Sequence, residues 1–173
     1  RINQIRANLE RMRWYVPDPT RKDYVMVDIA GYRASYIKGT ETIWTSRVQV
    51  GKEYRATPVF RSEISYITLS PGWVVPPTIL RQDIIPAIRK DPGYLTRNKL
   101  QAFNAAGQKV SPDKVNWSNP KGITVRQEPG PKGALGEVVI RFNNPYMVYL
   151  HDTPHQGLFE QSLRPTSSGC IRV

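Results

Sequence analysis

The sequence predicts a mainly β fold of the β-rich α+β class: a mixed sheet or sandwich, interrupted by a small insertion that contains helix. Three observations predict it. Runs of alternating or β-branched residues stand between turn residues at both ends of the chain. The middle is rich in Pro and Gly and only weakly periodic. A length of 173 residues suits one domain with a real core.

Residues 2–14 place Ile2, Ile5, Leu9 and Met12 at spacings of three and four, the pattern of a short amphipathic helix. Pro17 and Pro19 end it. Residues 1–23 therefore read as a lead-in helix and linker. In 24–29, Val25, Val27 and Ile29 fall on one face of a strand. Further strands are expected over 32–38, 42–50 and 63–69, with a break at Gly39-Thr40 and a connection over 51–58.

From 71 to 131 the pattern changes. Pro76-Pro77 leads into a helix expected around 81–90, followed by Asp91-Pro92-Gly93 and polar stretches at 104–113 and 117–122. A structureless loop of that length is uncommon. The segment reads as an inserted, partly helical subdomain. Strand character returns in 137–142, with Val138, Ile140 and Phe142 on one face. Asn143-Asn144-Pro145 signals a turn. Residues 146–151 read as the second strand of a hairpin, with Tyr146, Val148 and Leu150 facing one way and Met147, Tyr149 and His151 the other.

The net charge is +11, from 25 basic and 14 acidic residues. Such a chain favours polyanions or negatively charged surfaces. Recognition helices, zinc-finger spacings and RNA-binding aromatic signatures are absent, so a nucleic-acid partner is not expected. An anionic polymer fits the charge equally well. No apolar run approaches the ~18 residues of a membrane span. Because the chain begins at Arg1 rather than Met, it reads as an excised or processed fragment.

The chemistry concentrates in the last 23 residues, which hold both histidines and the only cysteine. A free thiol is only a few per cent thiolate at neutral pH, so a nucleophilic cysteine needs a base or a positive neighbour. His151 lies nineteen residues before Cys170 and reaches it if the chain folds back, which Gly157 and Pro165 permit. Gly169 allows close backbone approach, which suits an oxyanion site made of amide N–H groups. A buried, inert cysteine is the competing reading until context is weighed.

That context resembles the L,D-transpeptidase (YkuD) family, whose pattern is a His, a spacer, then Ser/Thr-His-Gly-Cys, an apolar residue and Arg or Asn. His151 matches the first His, and Ser167, Gly169, Cys170, Ile171 and Arg172 match the second half. The flanking Tyr149-Leu150-His151-Asp152-Thr153-Pro154 and Leu158-Phe159 are similar to the family as well. Upstream, 8–14 and 73–77 resemble the large, YcbB-type members of Gram-negative bacteria, and Ala134-Leu135-Gly136 resembles the family's Asn-x-Leu-Gly turn. There are three departures. Ser168 stands where most members have His, Gly133 replaces the Asn of the turn, and the chain stops at Val173 where the family usually continues.

The resemblance implies a YkuD-like catalytic core over 24–78 and 126–173, with 79–125 as a substrate-capping subdomain. It implies that Cys170 is the nucleophile and His151 the base, with no metal or cofactor. Gly169, Ser168 and the Asp152 carbonyl would supply oxyanion and orienting contacts. Tyr149, Arg172 and Trp73 become expected substrate contacts, and Tyr94 a further one. His155 is the competing base. The implied partners are donor and acceptor stem peptides of peptidoglycan, other cell-wall enzymes, and carbapenem β-lactams as covalent inhibitors, in the periplasm or cell envelope. Rival readings are an L,D-carboxypeptidase or a lipoprotein-attaching or lipoprotein-releasing enzyme with the same site, a non-catalytic peptidoglycan-binding module, and a zinc hydrolase using His151, His155 and Cys170. The last lacks the helical His-Glu-x-x-His arrangement.

Overall fold

The computed structural model describes residues 1–14 and 23–173, with Met12 and Trp14 described in backbone only. Pro17 and Pro19, the expected stop of the first helix, lie outside the described residues. The chain divides into two compact units, Arg1–Arg47 and Val48–Val173.

The first unit holds α1 (Ile2–Trp14) and an antiparallel meander of β1 (Asp23–Asp28), β2 (Arg33–Lys38) and β3 (Glu41–Arg47). Val25, Val27 and Ile29 are half-buried while Tyr24, Met26 and Asp28 are exposed, so the period read in the sequence is the period of burial. The β2–β3 reversal falls on Gly39-Thr40, and Gly39 has φ 60°, a value that costs glycine little.

The second unit contains ten short strands: β4 (Val50–Gly51), β5 (Ile64–Leu69), β6 (Trp73–Val74), β7 (Leu100–Phe103), β8 (Lys109–Val110), β9 (Thr124–Gln127), β10 (Val138–Phe142), β11 (Leu150–His151), β12 (Pro165–Ser167) and β13 (Ile171–Arg172). The site-bearing sheet has the order β13-β11-β10-β5, and β12 pairs with β4 beside it. The molecule is thus mostly β with some helix, as the residue patterns predict.

The 71–131 stretch is more ordered than its weak periodicity suggests. A helical run covers Pro77–Ile79, Leu80–Ile84 and Ile85–Lys90, followed by a short turn of helix at Tyr94–Arg97. The middle of the run is a π-type turn in which the Ile85 N–H bonds the Leu80 carbonyl. Pro86 follows directly, and a proline inside a helix removes an N–H and crowds the preceding turn. The widened turn relieves that crowding. This run packs on a second sheet, β6-β9-β7-β8. Val75, Leu80, Ile84, Ile85, Ile88, Leu95, Leu100 and Val125 form its buried core.

One expected strand is corrected. Only Leu150–His151 of the 146–151 stretch pairs with β10. Asn144 explains the difference. Its Oδ1 accepts the N–H groups of Tyr146 and Val148, and its Nδ2 donates to the carbonyls of Phe142 and Val148. These bonds hold the chain in a turn, with Met147 at φ 56°. Val148 and Leu150 are buried but Tyr146 is not, so the alternation stops short of the turn.

Candidate active site

Cys170 lies in the turn between β12 and β13, and His151 ends β11. β11 and β13 run parallel, with Leu150 opposite Ile171 and His151 opposite Arg172. The Ile171 N–H donates to the Tyr149 carbonyl and the Val173 N–H to that of His151. Leu150 and Ile171 are buried. Alternation therefore sends Tyr149, His151, Cys170 and Arg172 to the opposite face together. The Cys170 thiol is half-buried, 3.9 Å from the Met147 carbonyl oxygen.

The imidazole is oriented from behind. His151 Nδ1 lies 2.5 Å from the Asp152 carbonyl oxygen. A carbonyl only accepts, so Nδ1 carries the proton and Nε2 keeps a free lone pair. His151 is 5% exposed. Burial and then the nearby Arg172 charge lower its pKa to about 4, against the carbonyls of Asp152 and Leu135, which favour the charged ring. Burial pushes the Cys170 thiol up, while the Tyr149 backbone and the Arg172 charge pull it down. At neutral pH the Cys170 thiol and the His151 imidazole are therefore both neutral.

The carboxylate of Asp152 has a different task from its carbonyl. It accepts the Glu137 N–H at 2.9 Å and a Gln156 amide N–H at 3.1 Å. Gly136, at φ 63°, sits directly against it: a Cβ there would lie 2.2 Å from Asp152 Oδ2. The 134–136 turn is thereby tied to the residue that orients His151.

The cysteine turn is held from inside. Ser167 is buried; its hydroxyl donates to the Cys170 carbonyl at 2.5 Å and accepts the Gly169 N–H at 3.1 Å. This corrects the expected oxyanion role of Gly169, because its amide is already bonded. The Cys170 amide is the remaining donor beside the thiol. Gly169 instead has a shape role: it adopts φ 116° with Val148 packed against it. Thr57, also buried, accepts the Gly51 N–H and donates to the Gly169 carbonyl, each at 2.8 Å.

Ser168 is exposed, and its hydroxyl accepts from Arg55 Nη1 at 2.9 Å. The same guanidinium reaches Asp83 at 2.6 and 3.1 Å and Gln82 at 2.7 Å. The Asp83 hydrogen bond raises the Arg55 pKa against the opposing effect of burial. Arg55 thus links the residue before Gly169-Cys170 to the π turn of the insertion. Arg172 donates from Nη1 to Gln49 Oε1 at 3.3 Å, and its backbone pairs with that of Gln49. The fully buried Gln49 also receives the Thr166 hydroxyl at 2.7 Å.

Trp73 and Tyr94, expected to contact substrate, are partly buried and pack against the core of the insertion. His155 is exposed, with its N–H on Thr153 and its carbonyl on Gln49. Among the described residues, no three His, Cys, Asp or Glu side chains gather at metal-binding distance. Sequence reasoning missed Gln49, Arg55, Thr57 and Asp83. Their bonds to the site span more than a hundred residues, or run through the insertion, and no local signal marks them.

A β-rich α+β fold that presents a thiol and an oriented neutral imidazole on one sheet face has the form of a catalytic domain. The chain belongs to the YkuD family: the model of the L,D-transpeptidase catalytic domain matches residues 22–173. It is 34% identical over 173 residues to a Haemophilus influenzae protein named "Putative L,D-transpeptidase", covering 98% of this chain and 35% of that one. The chain thus spans about a third of that relative. Among solved structures it is similar to the Ldtfm–avibactam carbamoyl enzyme, with a TM-score of 0.50 and 14% identity over 88% of this chain and 41% of the other. An L,D-transpeptidase from Mycobacterium smegmatis aligns with a TM-score of 0.46 and 15% identity, over 88% of this chain and 49% of that one.

Proposed function

We propose that this domain cross-links peptidoglycan stems between their third residues, through a thioester on Cys170. The observation that carries this reading is the parallel β11–β13 register. It puts Cys170 opposite Tyr149, with His151 two residues further along β11 on the same sheet face; the His151 Nδ1–H is committed to a carbonyl, which leaves Nε2 to take a proton.

The steps follow from those protonation states. Cys170 Sγ attacks the carbonyl carbon of the donor's third residue as its proton passes to His151 Nε2. Both groups start neutral, so transfer accompanies attack rather than preceding it. Charge then develops on the donor oxygen, and the Cys170 N–H is the amide beside it. The C–N bond to the terminal D-Ala breaks, and the proton on His151 passes to the departing amine. The acceptor's side-chain amine next attacks the thioester and gives a proton to His151; the C–S bond breaks, and that proton passes from His151 to the sulfur to restore the thiol. Arg172 favours negative charge on sulfur throughout. The bond energy stays in the thioester, so no nucleotide is consumed. We assign the domain to the cell envelope for that reason, and carbapenem β-lactams as reagents that acylate Cys170.

Mass spectrometry of the protein with a purified disaccharide-tetrapeptide tests this, with Cys170→Ala alongside. Wild type alone should release D-Ala and yield dimers joined between third residues. D-Ala release without dimers would make the enzyme an L,D-carboxypeptidase. An untouched substrate would sink the reading.

A further inference from the structure

The site face continues past His151 and Cys170 onto the neighbouring strands. β10 runs antiparallel to β11, with Val139 opposite His151 and Ile140 opposite Leu150. One step on, Arg141 stands beside Tyr149, and on its other side it is paired with Tyr66 of β5. Tyr66, Arg141, Tyr149 and Cys170 therefore form one row across the sheet.

Arg141 is held in that row by stacking. Its guanidinium carbon lies 4.8 Å from the centroid of Tyr149 and 5.9 Å from that of Tyr66. Nε donates to Thr68 Oγ1 at 3.4 Å. Tyr149 is itself backed by Phe142, with ring centroids 6.3 Å apart. The group is thus braced on two rings and aimed by one hydrogen bond. Stacking leaves the planar fork of a guanidinium free to bond in its own plane.

Among the described residues, the Arg141 guanidinium donates a hydrogen bond only from Nε. Among the described residues no carboxylate pairs with Arg141, and only Arg55 and Arg172 have a buried side-chain nitrogen without a partner. Arg141 is half-buried, and neither of its terminal nitrogens is both fully buried and without a partner. Arg172, the other guanidinium on this face, is half-buried and engaged with Gln49. Adjacent strands lie about 4.8 Å apart, so Arg141 and Cys170, two strands apart, are separated by about 10 Å at the backbone. The Arg141 side chain covers part of that distance.

We propose that Arg141 is the carboxylate-recognition residue of the donor subsite, forming a two-point contact with a carboxylate of the peptide whose carbonyl reaches Cys170. This rests on the transpeptidase reading of the site. Two carboxylates qualify by position, one on the side chain of the reacting residue and one at the C-terminus of the residue that leaves. Charge-assisted, bidentate pairing is the chemistry common to both.

The test separates binding from turnover. Binding of the disaccharide-tetrapeptide is measured by calorimetry to Cys170→Ala and to Cys170→Ala with Arg141→Gln. Loss of the fork should weaken binding about 10- to 100-fold, and Arg141→Lys, which keeps charge without the fork, should fall between. Two further donors identify the carboxylate, one amidated on its side chain and one at its C-terminus. The amide that binds wild-type fork and Arg141→Gln alike marks the group recognised. Equal loss on all three donors would overturn the proposal, because it would mean damage to the sheet rather than recognition. Equal affinity with and without Arg141, or no donor binding at all, would overturn it too. Arg141-dependent binding without any acylation of the Cys170 protein would leave this inference standing and remove the transpeptidase reading.

Discussion

His151 is where one residue's surroundings set both stability and chemistry. Its ring titrates near 6.5 when solvated and at about 4 in the fold, chiefly because burial penalises the charge. Between those values the unfolded chain binds a proton that the native state refuses. The contribution of His151 to stability is therefore complete above pH 6.5 and is lost as pH falls toward 4, by about 3 kcal/mol across the window. Urea unfolding at pH 7.5 and 4.5, on wild type and His151→Gln, checks this. The wild type should lose more stability on acidification than the variant, and equal losses would show that the ring is not held neutral. The same shift bears on catalysis. A base must be unprotonated, so the acid limb of kcat/KM for Cys170 acylation should lie near pH 4 to 5 rather than near 6.5. A limb at 6.5 would mean that the ring is hydrated in the working enzyme.

Between residue and domain stand the short turns that aim the site, and two glycines separate their effects. Gly39 and Gly136 have nearly the same backbone, φ 60° and 63°. A Cβ at Gly39 meets nothing within 4 Å, whereas at Gly136 it would lie 2.2 Å from the Asp152 carboxylate and 2.6 Å from its backbone carbon. Gly39→Ala should thus cost only the left-handed strain, about 1 kcal/mol, and leave activity intact. Gly136→Ala should cost more and also slow Cys170 acylation at least 10-fold, since Asp152 orients His151. Melting curves and acylation rates for the two variants decide it; similar rates would detach the 134–136 turn from the site. These turns also mark the limit of what the sequence discloses. β1 and β10 were legible because alternation runs for five residues or more, and β5 because its run is rich in β-branched and aromatic residues. β4, β11, β12 and β13 have two or three residues each, too few for any period, yet β11 carries the imidazole and β12 and β13 flank the thiol. Cys170 and His151 were legible only through their motif. Asn144 shows the opposite failure, where a good alternating pattern is overruled by four side-chain hydrogen bonds.

At the scale of the whole molecule, the insertion and the site sheet depend on different cores. Every apolar residue of the insertion's core, from Val75 to Val125, comes from the insertion's own helices and strands or their flanks, and none comes from β10, β11 or β13. The polar contacts of Arg55 with Gln82 and Asp83 tie the two together, and Asp83 is nearly half exposed. A single, partly exposed ion pair contributes less than the burial of a whole hydrophobic cluster. The insertion should therefore open as a cooperative unit separate from the site sheet. Leu95 is fully buried at its centre. Leu95→Ala should remove about 2 to 5 kcal/mol through lost contact and a residual cavity. Native-state hydrogen exchange reads where that loss falls. Amides of β7 and β9 should lose protection by nearly the full amount, while those of β10 and of Ile171 and Val173 keep theirs. Equal loss in both sets would mean that the two sheets unfold as one, and that access to Cys170 cannot change by opening the insertion alone. Separate loss would make the Arg55–Asp83 contact the point at which opening of the insertion is felt at Ser168.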